Sequence, residues 1–199
     1  MPTATSDVAI CNLALTKLGN DRVLTALTQA NKEGRLCSLH YPVARDAVLA
    51  EHPWNFAIRR VDLAVEADVT PPFEFTYRFP LPADCLKVIR TENESAGYED
   101  DWRIESVSGG GQVLLYNDAT CAIEYIARVE DTALYSPIFV DALAQRIAAE
   151  LAPAFADSAS MAQQLWQLYE AKMRSAKGVD AQEGTPRNQV FDTWVNARY

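Results

Sequence analysis

The sequence has 199 residues, of which 49% are apolar and 23% charged; this is ordinary usage for one globular domain and excludes a disordered or fibrous chain. It carries 18 Lys and Arg against 27 Asp and Glu, which gives a formal charge of −9. Because affinity for phosphate comes mainly from Lys and Arg, this balance argues against a general DNA- or RNA-binding protein.

Two helices are predicted in the first quarter of the chain. Ser6 and Asp7 are the candidate capping residues for a helix over residues 7–19. A second helix is predicted over residues 31–51, where Asn31 caps a run of apolar residues at helical spacing. Pro42 lies inside this run and is expected to bend or split the helix, because proline removes one backbone hydrogen bond.

The middle third, residues 54–128, is predicted to form a small, mostly antiparallel sheet. Four aromatic residues alternate with polar ones, and this period of two predicts a strand with one aromatic face. These residues are Phe73, Phe75, Tyr77 and Phe79. Further strands are predicted over residues 86–90, 102–107, 112–116 and 121–127. The three glycines at 109–111 are predicted to form a turn between two of them.

Two more helices are predicted after the strands. The first, over residues 137–155, begins with Pro137 at the position that proline favours in a helix. The second, over residues 158–177, is predicted to end at Gly178. The order of helices and strands predicts an α+β fold, mainly a helical bundle with two helices at each end of the chain and an inserted small antiparallel sheet. Residues 1–177 are interpreted as one globular domain, and residues 178–199 as an extended C-terminal arm.

The sequence predicts no catalytic, cofactor or metal site. Residues 109–111 lack the spacing of a phosphate-binding loop, and no serine lies in a nucleophile elbow. Cys37 and His40 share a helix face, but no second pair completes a metal site. Core packing is the favoured interpretation of both. Trp54 and Phe56 are interpreted as anchors of the sheet rather than as a stacking platform for a ligand.

An acidic stretch is the remaining candidate for catalysis. It consists of Glu92, Glu94, Glu99, Asp100 and Asp101. Two such carboxylates can cleave a glycosidic bond when one lies in an apolar pocket that raises its pKa. The surrounding residues are polar, so a solvated surface loop is the favoured interpretation.

The C-terminal arm is the candidate partner-binding segment. A solvated tail has no use for large aromatic side chains, and aromatic residues on such a segment are typical anchors for a partner groove. The predicted partner-binding residues are Phe191, Trp194, Arg198 and Tyr199. The alternative, that the arm folds back on its own core, stays open.

Targeting features point to a soluble protein made in the cytoplasm. The first seven residues lack the basic and apolar regions of a signal peptide, and no apolar run approaches the roughly 18 residues of a membrane span. The four cysteines are far apart and predicted to be buried thiols rather than disulfides. They are Cys11, Cys37, Cys85 and Cys121.

Several stretches resemble the bacteriophage head-to-tail adaptor family, also called connectors or tail tubular protein A. They are Ile10–Leu15 with Leu18 and Gly19, Cys37 with Tyr41, Arg45–Leu49, and His52–Ala57 with Arg59. The last two helices are similar in placement, so the resemblance covers nearly the whole chain. Residues 45–57 are its most specific part.

The resemblance implies a helical bundle with an inserted sheet, in a ring of neighbouring copies, usually twelve. Such a ring joins the portal protein to the next tail component, the nozzle or tail tube, and lets DNA pass without sequence-specific binding. It implies no catalytic residue and no cofactor. The expected location is the head–tail junction of the virion, and the host cytoplasm during assembly.

Two alternatives stay open. One is a glycan or cell-wall hydrolase associated with the phage tail, which would use the acidic residues named above. The other is a tail-completion or minor tail protein of a long-tailed phage, which differs in its partners rather than in its chemistry.

Overall fold

The computed structural model describes residues 6–67, 69, 71, 73–95, 101–155 and 159–183. The model confirms the α+β fold class, because helices come before and after the strands along the chain and the strands form two small antiparallel sheets. The helices are α1 (Asp7–Lys17), α2 (Lys32–Glu51), α3 (Glu92–Ser95), α4 (Pro137–Phe155) and α5 (Ala159–Asp180). The strands are β1 (Ile58–Leu63), β2 (Tyr77–Pro80), β3 (Cys85–Thr91), β4 (Arg103–Ser106), β5 (Gln112–Tyr116) and β6 (Cys121–Ala127).

The first two helices begin at the predicted caps. The side chain of Ser6 accepts a hydrogen bond from the Ala9 N–H, and that of Asn31 accepts one from the Gly34 N–H at 2.7 Å. Helix α2 runs unbroken through Pro42, so of the two expected effects, a bend or a split, the split does not occur. Pro42 is exposed, so water can reach the carbonyl group that loses its partner there.

Helix α4 is the centre of the bundle and packs against α1, α2 and α5. Its small side chains let the three neighbouring helices approach closely. The buried alanines are Ala142, Ala144, Ala148, Ala149 and Ala152. No helix in the described ranges combines the length and apolar character that a membrane crossing requires.

The strands form two three-stranded antiparallel sheets, where the sequence predicted one. The first has the order β1-β6-β3 and the second the order β2-β5-β4. The two sheets share an apolar core. The second sheet contributes Phe79 and Leu114 to this core, and the first contributes Ile123 and Tyr125. We call the two sheets together the β-sandwich. Strand β1 was missed because three of its six residues are charged, which hides the alternating pattern.

The predicted aromatic strand is wrong in its first half. Strand β2 begins only at Tyr77. Glu74 has a φ of 65°, a left-handed backbone that cannot continue a strand. Phe73, which precedes it, is 69% exposed.

The last helix is longer than predicted. It passes through Gly178 and ends at Asp180. A glycine inside a helix costs only about 1 kcal/mol, and contacts of Asp180 offset that cost. The arm therefore does not begin at residue 178, and we call residues 184–199, which lie outside the described residues, the C-terminal segment.

Candidate functional site

Three hydrogen-bonding contacts hold the end of α5 against the corner between α2 and β1. The Nε2 atom of His52 lies 3.0 Å from an Asp180 carboxylate oxygen, and the Asn55 N–H donates to the other oxygen at 3.3 Å. The side-chain amide of Asn55 donates to the Asp180 carbonyl oxygen at 2.7 Å. His52 is mostly enclosed and Asp180 is buried. We call His52, Asn55 and Asp180 the C-terminal anchor.

The aromatic residues of this corner lie in the core, as the packing interpretation predicts. Trp54 is fully buried, and its indole N–H donates to the Val48 carbonyl oxygen at 2.9 Å. The rings of Trp54 and Phe56 both meet Phe139 of α4 edge to face, with centroids 5.1 and 5.0 Å apart. This packing fixes the backbone that carries His52 and Asn55.

The predicted partner-binding residues lie outside the described residues. They are Phe191, Trp194, Arg198 and Tyr199. The last described residue, Glu183, follows Asp180 by three positions in a short 3₁₀ turn. The C-terminal segment therefore starts from the anchored corner between the bundle and the β-sandwich.

Cys37 and His40 do not act together. Cys37 is fully buried beside Cys11, and a hydrogen bond between the two thiols lowers the pKa of Cys37. The Nδ1 atom of His40 instead lies 3.3 Å from a carboxylate oxygen of Glu150 on α4. Among the described residues, no group of three or more His, Cys, Asp or Glu side chains is placed to hold a metal ion.

The acidic stretch is only partly described. Glu92 starts the short helix α3 and is exposed, as is Asp101, whereas Glu99 and Asp100 lie outside the described residues. The three described carboxyl groups with a resolved pKa shift all have a lowered pKa. They are Glu33, Glu66 and Asp141. A general acid in glycan cleavage needs the opposite shift.

The glycine run forms the predicted turn. Gly109, Gly110 and Gly111 all have a positive φ and connect β4 to β5. Across the first sheet, Glu124 of β6 accepts hydrogen bonds from Arg60 of β1 and Arg90 of β3 at 3.0 and 2.6 Å. Two guanidinium groups therefore share one carboxylate on this sheet.

Sequence reasoning missed a buried arginine and the cleft beside it. Arg45 pairs with Asp46 at 2.9 Å and with Glu130 at 3.3 Å, and it borders a cleft of about 520 Å³. Arg45 lies on the stripe of α2 that also buries Tyr41 and Val48. A charged residue on an otherwise apolar stripe is the signal that could have revealed this cluster.

Comparison with known proteins leaves the family unassigned. No protein-family model matches the chain. No curated protein matches it either. What the chain does must therefore follow from its own residues and contacts.

Proposed function

We propose that this chain is a structural adaptor of the bacteriophage virion, without catalytic activity. Neighbouring copies form a ring between the portal protein and the next tail component, and DNA passes through the channel of that ring. The C-terminal segment docks on the portal protein.

One observation supports the proposal most directly. The residues that resemble the adaptor family most specifically, 45–57, contain His52 and Asn55, which hold Asp180 at the end of α5. The same stretch contains Trp54, which is fully buried between the bundle helices. The family-like residues thus build the corner from which the C-terminal segment departs. An anchored starting point favours docking, because it lowers the entropy lost when the segment becomes ordered on a partner.

The pairing of the charged residues supports a channel through which DNA passes without being bound. Most described Lys and Arg side chains face a carboxylate, so few are available for phosphate groups. The formal charge of −9 on each copy makes a ring of such chains strongly acidic. A ring of net acidic chains repels DNA, which favours sliding over binding.

Truncation after Glu183 tests the proposal. This cut removes the C-terminal segment and leaves the C-terminal anchor intact, so the melting temperature should change by no more than about 2 °C. Co-sedimentation with the portal protein should be lost. Trp194→Ala in the full chain should weaken binding roughly thirtyfold, since truncating a buried aromatic anchor costs about 2 kcal/mol.

Trp166→Ala is the matched control, because Trp166 is a half-exposed tryptophan on α5. It should leave portal binding unchanged. If the truncated chain unfolds, the C-terminal segment belongs to its own core. If it folds and still binds the portal protein fully, docking occurs elsewhere and the proposed role of the segment is wrong.

The hydrolase alternative has its own test. Glu92→Gln removes the exposed carboxylate at the start of the acidic stretch. An activity on cell-wall or capsular glycan that this single change abolishes would favour the enzyme over the adaptor.

A further inference from the structure

Two lysines from different helices meet on one carboxylate of α4. The Lys17 ammonium of α1 lies 2.8 Å from Asp141 Oδ1, and the Lys172 ammonium of α5 pairs with Asp141 Oδ2. Helices α1 and α5 therefore lie on either side of the α4 surface that carries Asp141. The Asp141 side chain is 45% exposed, and two ammonium groups against one carboxylate leave this accessible site net positive. We call Lys17, Asp141 and Lys172 the lysine bridge.

Exposed apolar side chains lie around the lysine bridge. Leu13 of α1 and Leu168 of α5 each precede the lysine of their own helix by one turn, so each lies on the same side of its helix as that lysine. Ile138 precedes the aspartate by three residues on α4, and Val179 follows the lysine of α5 by two turns. These four side chains are 36% to 51% exposed. We call these four residues the α1–α5 strip.

The packing of α4 against α5 makes the α1–α5 strip continuous. The two helices are antiparallel, because Gln145 donates to the Leu165 carbonyl oxygen at 3.2 Å while Asp141, one turn earlier on α4, pairs with the lysine two turns later on α5. Ile138, almost a turn further back, therefore lies level with the stretch of α5 between that lysine and Val179. The strip thus ends four residues before the last described residue of the chain.

Leu13 lies at the same end of the lysine bridge as Ile138. The N-terminal end of α1 lines a cleft together with residues 130–132, which precede α4. Moving from Lys17 towards that end of α1 is therefore moving towards the start of α4. The apolar residues on the three helices accordingly face one shared surface.

The other charged side chains of α5 near this level lie away from the α1–α5 strip. Glu170, Arg174 and Lys177 lie roughly 140–160° around the helix from Lys172, because each residue of an α-helix turns by about 100°. Asp7, the acidic residue of α1, borders the cleft beside α2 instead. The strip is therefore an apolar track with one net positive site.

The C-terminal segment carries the complementary pattern. Asp192 is the only acidic residue in residues 184–199, and two apolar residues lie on each side of it within three positions. These apolar residues are Val190, Phe191, Trp194 and Val195. The two arginines of the segment, Arg187 and Arg198, are five and six positions away from Asp192. An acidic residue between apolar ones fits an apolar track with a net positive site.

The C-terminal segment is long enough to reach the lysine bridge. Lys172 lies about 16 Å from Glu183 along the helix axis. An extended chain from Glu183 to Asp192 reaches about 30 Å, which leaves enough length for the chain to reverse its direction. Gly184 and Pro186, at the start of the segment, are residue types that such a turn favours.

The spacing of the segment also matches that of the α1–α5 strip. With Asp192 beside Lys172, an extended chain carries Trp194 about 7 Å further along. Leu168 lies about 6 Å from Lys172 along α5, in the direction in which the segment would run. Val190, Asp192 and Trp194 share one face of an extended chain, so all three can contact the strip together.

We infer that the C-terminal segment lies on the α1–α5 strip of its own chain when the portal protein is absent, with Asp192 at the lysine bridge. The contact is one chain wide and therefore weak, which agrees with the small change in melting temperature expected after truncation. The inference also deepens the proposed function, on which this part of it rests. The portal protein must take Trp194 from the strip, so the strip lowers the apparent affinity for the portal protein.

Intrachain cysteine trapping in the full chain tests this contact. Val190→Cys is combined with Ser175→Cys, because Ser175 is exposed on the side of α5 that carries the strip. The control combines Val190→Cys with Arg174→Cys, the neighbouring exposed position on the other side of the helix. With limiting copper phenanthroline and low micromolar protein, the first pair should form a disulfide-linked monomer about fivefold faster. The native thiols are buried or half-buried, and the wild-type chain gives their background.

A charge exchange tests the place of Asp192 at the lysine bridge. Asp192→Lys, added to the trapping pair, should slow disulfide formation about threefold, the size of effect that exposed ion pairs have. Adding Lys172→Glu should restore the rate, because the basic residue of the segment then meets a net negative site. Lys177→Glu is the matched control on the other side of α5 and should not restore it.

Portal binding is measured separately, on chains without added cysteines. Lys172→Glu alone should tighten binding about threefold, because the strip then holds the segment less strongly. Lys177→Glu should leave binding unchanged. Unchanged or weaker binding of the Lys172→Glu chain would refute the competition between the strip and the portal protein.

Four trapping results would overturn the intrachain contact. They are equal rates at positions 174 and 175, background rates at both, no recovery on charge exchange, and disulfide-linked dimers in place of monomers. The last result would mean that the segment of another copy occupies the strip. A chain that traps as expected but does not bind the portal protein keeps the contact and loses the adaptor role. A chain that binds the portal protein without trapping keeps the role and loses the contact.

Discussion

Replacing Asp180 by alanine tests the C-terminal anchor. The change removes the carboxylate that faces His52 Nε2 at 3.0 Å and accepts from the Asn55 N–H at 3.3 Å. The bond from the Asn55 side chain to the Asp180 carbonyl oxygen, at 2.7 Å, survives because it uses the backbone. His52 and the Asn55 N–H are then left without their acceptor in a site that admits little water.

The size of the effect follows from three contributions. A hydrogen bond to a charged group contributes about 1.5–3 kcal/mol, and the longer second bond adds less. The negative charge of Asp180 at the C-terminal end of α5 is unfavourable to the helix dipole, so its removal returns about 0.5 kcal/mol. The net loss is about 2 kcal/mol, and for a domain of this size it lowers the melting temperature by about 4–8 °C.

Thermal unfolding followed by circular dichroism measures this change. Glu183→Ala, at an exposed position three residues later, is the control and should stay within about 1 °C of wild type. A shift below 1 °C for Asp180→Ala would show that the anchor contributes no stability. Amide exchange over residues 176–183 should also accelerate, because the end of α5 loses its attachment.

Two further predictions concern glycines and pH. Gly34→Ala should destabilise the protein by more than about 1 kcal/mol, because the added methyl would lie 2.5 Å from the Gln29 carbonyl oxygen. Gly178→Ala meets open space within a helix and should stabilise the protein by about 0.5–1 kcal/mol. Chemical denaturation measures both changes, and equal effects would contradict the reasoning. Asp141→Asn should cost less than about 1 kcal/mol at pH 7, and the cost should shrink as pH falls below about 4. Burial alone would raise the pKa of Asp141, but hydrogen bonds from two lysines lower it overall. The contribution of Asp141 to stability is therefore present above its pKa in the unfolded chain and is lost as pH falls through its pKa in the folded protein. A cost of Asp141→Asn that is the same at pH 3 and pH 7 would refute this.

The elements with strong local signals could be predicted from the sequence. The caps at Ser6 and Asn31, and the strands over residues 112–116 and 121–127, lie where the sequence predicts them. A cap depends on a side chain that bonds to its own neighbouring backbone, and a strand of this kind depends on an apolar run between turns. Neither signal requires a distant partner. The aromatic strand failed because the alternation continues through Glu74, whose backbone conformation does not show in the pattern.

The candidate site could not be predicted in the same way. Asp180 meets His52 across 128 positions of sequence, and no local pattern joins an aspartate near a helix end to a histidine before a proline. The extension of α5 past Gly178 follows from that contact, so it was missed for the same reason. The cluster around Arg45 could not be completed from the sequence, because its second acidic partner, Glu130, comes from a loop between the β-sandwich and α4.

The pairing of β1 with β6 has a consequence for how the chain folds. Ile58 lies opposite Ile126 in this pairing, so the inserted segment starts and ends side by side. Helices α2 and α4, which pack on each other, are connected through this whole segment. Once β1 and β6 have paired, only short connections separate the two helices, and most of the loop-closure entropy has already been lost. Destabilising the β-sandwich should therefore slow the assembly of the helical bundle.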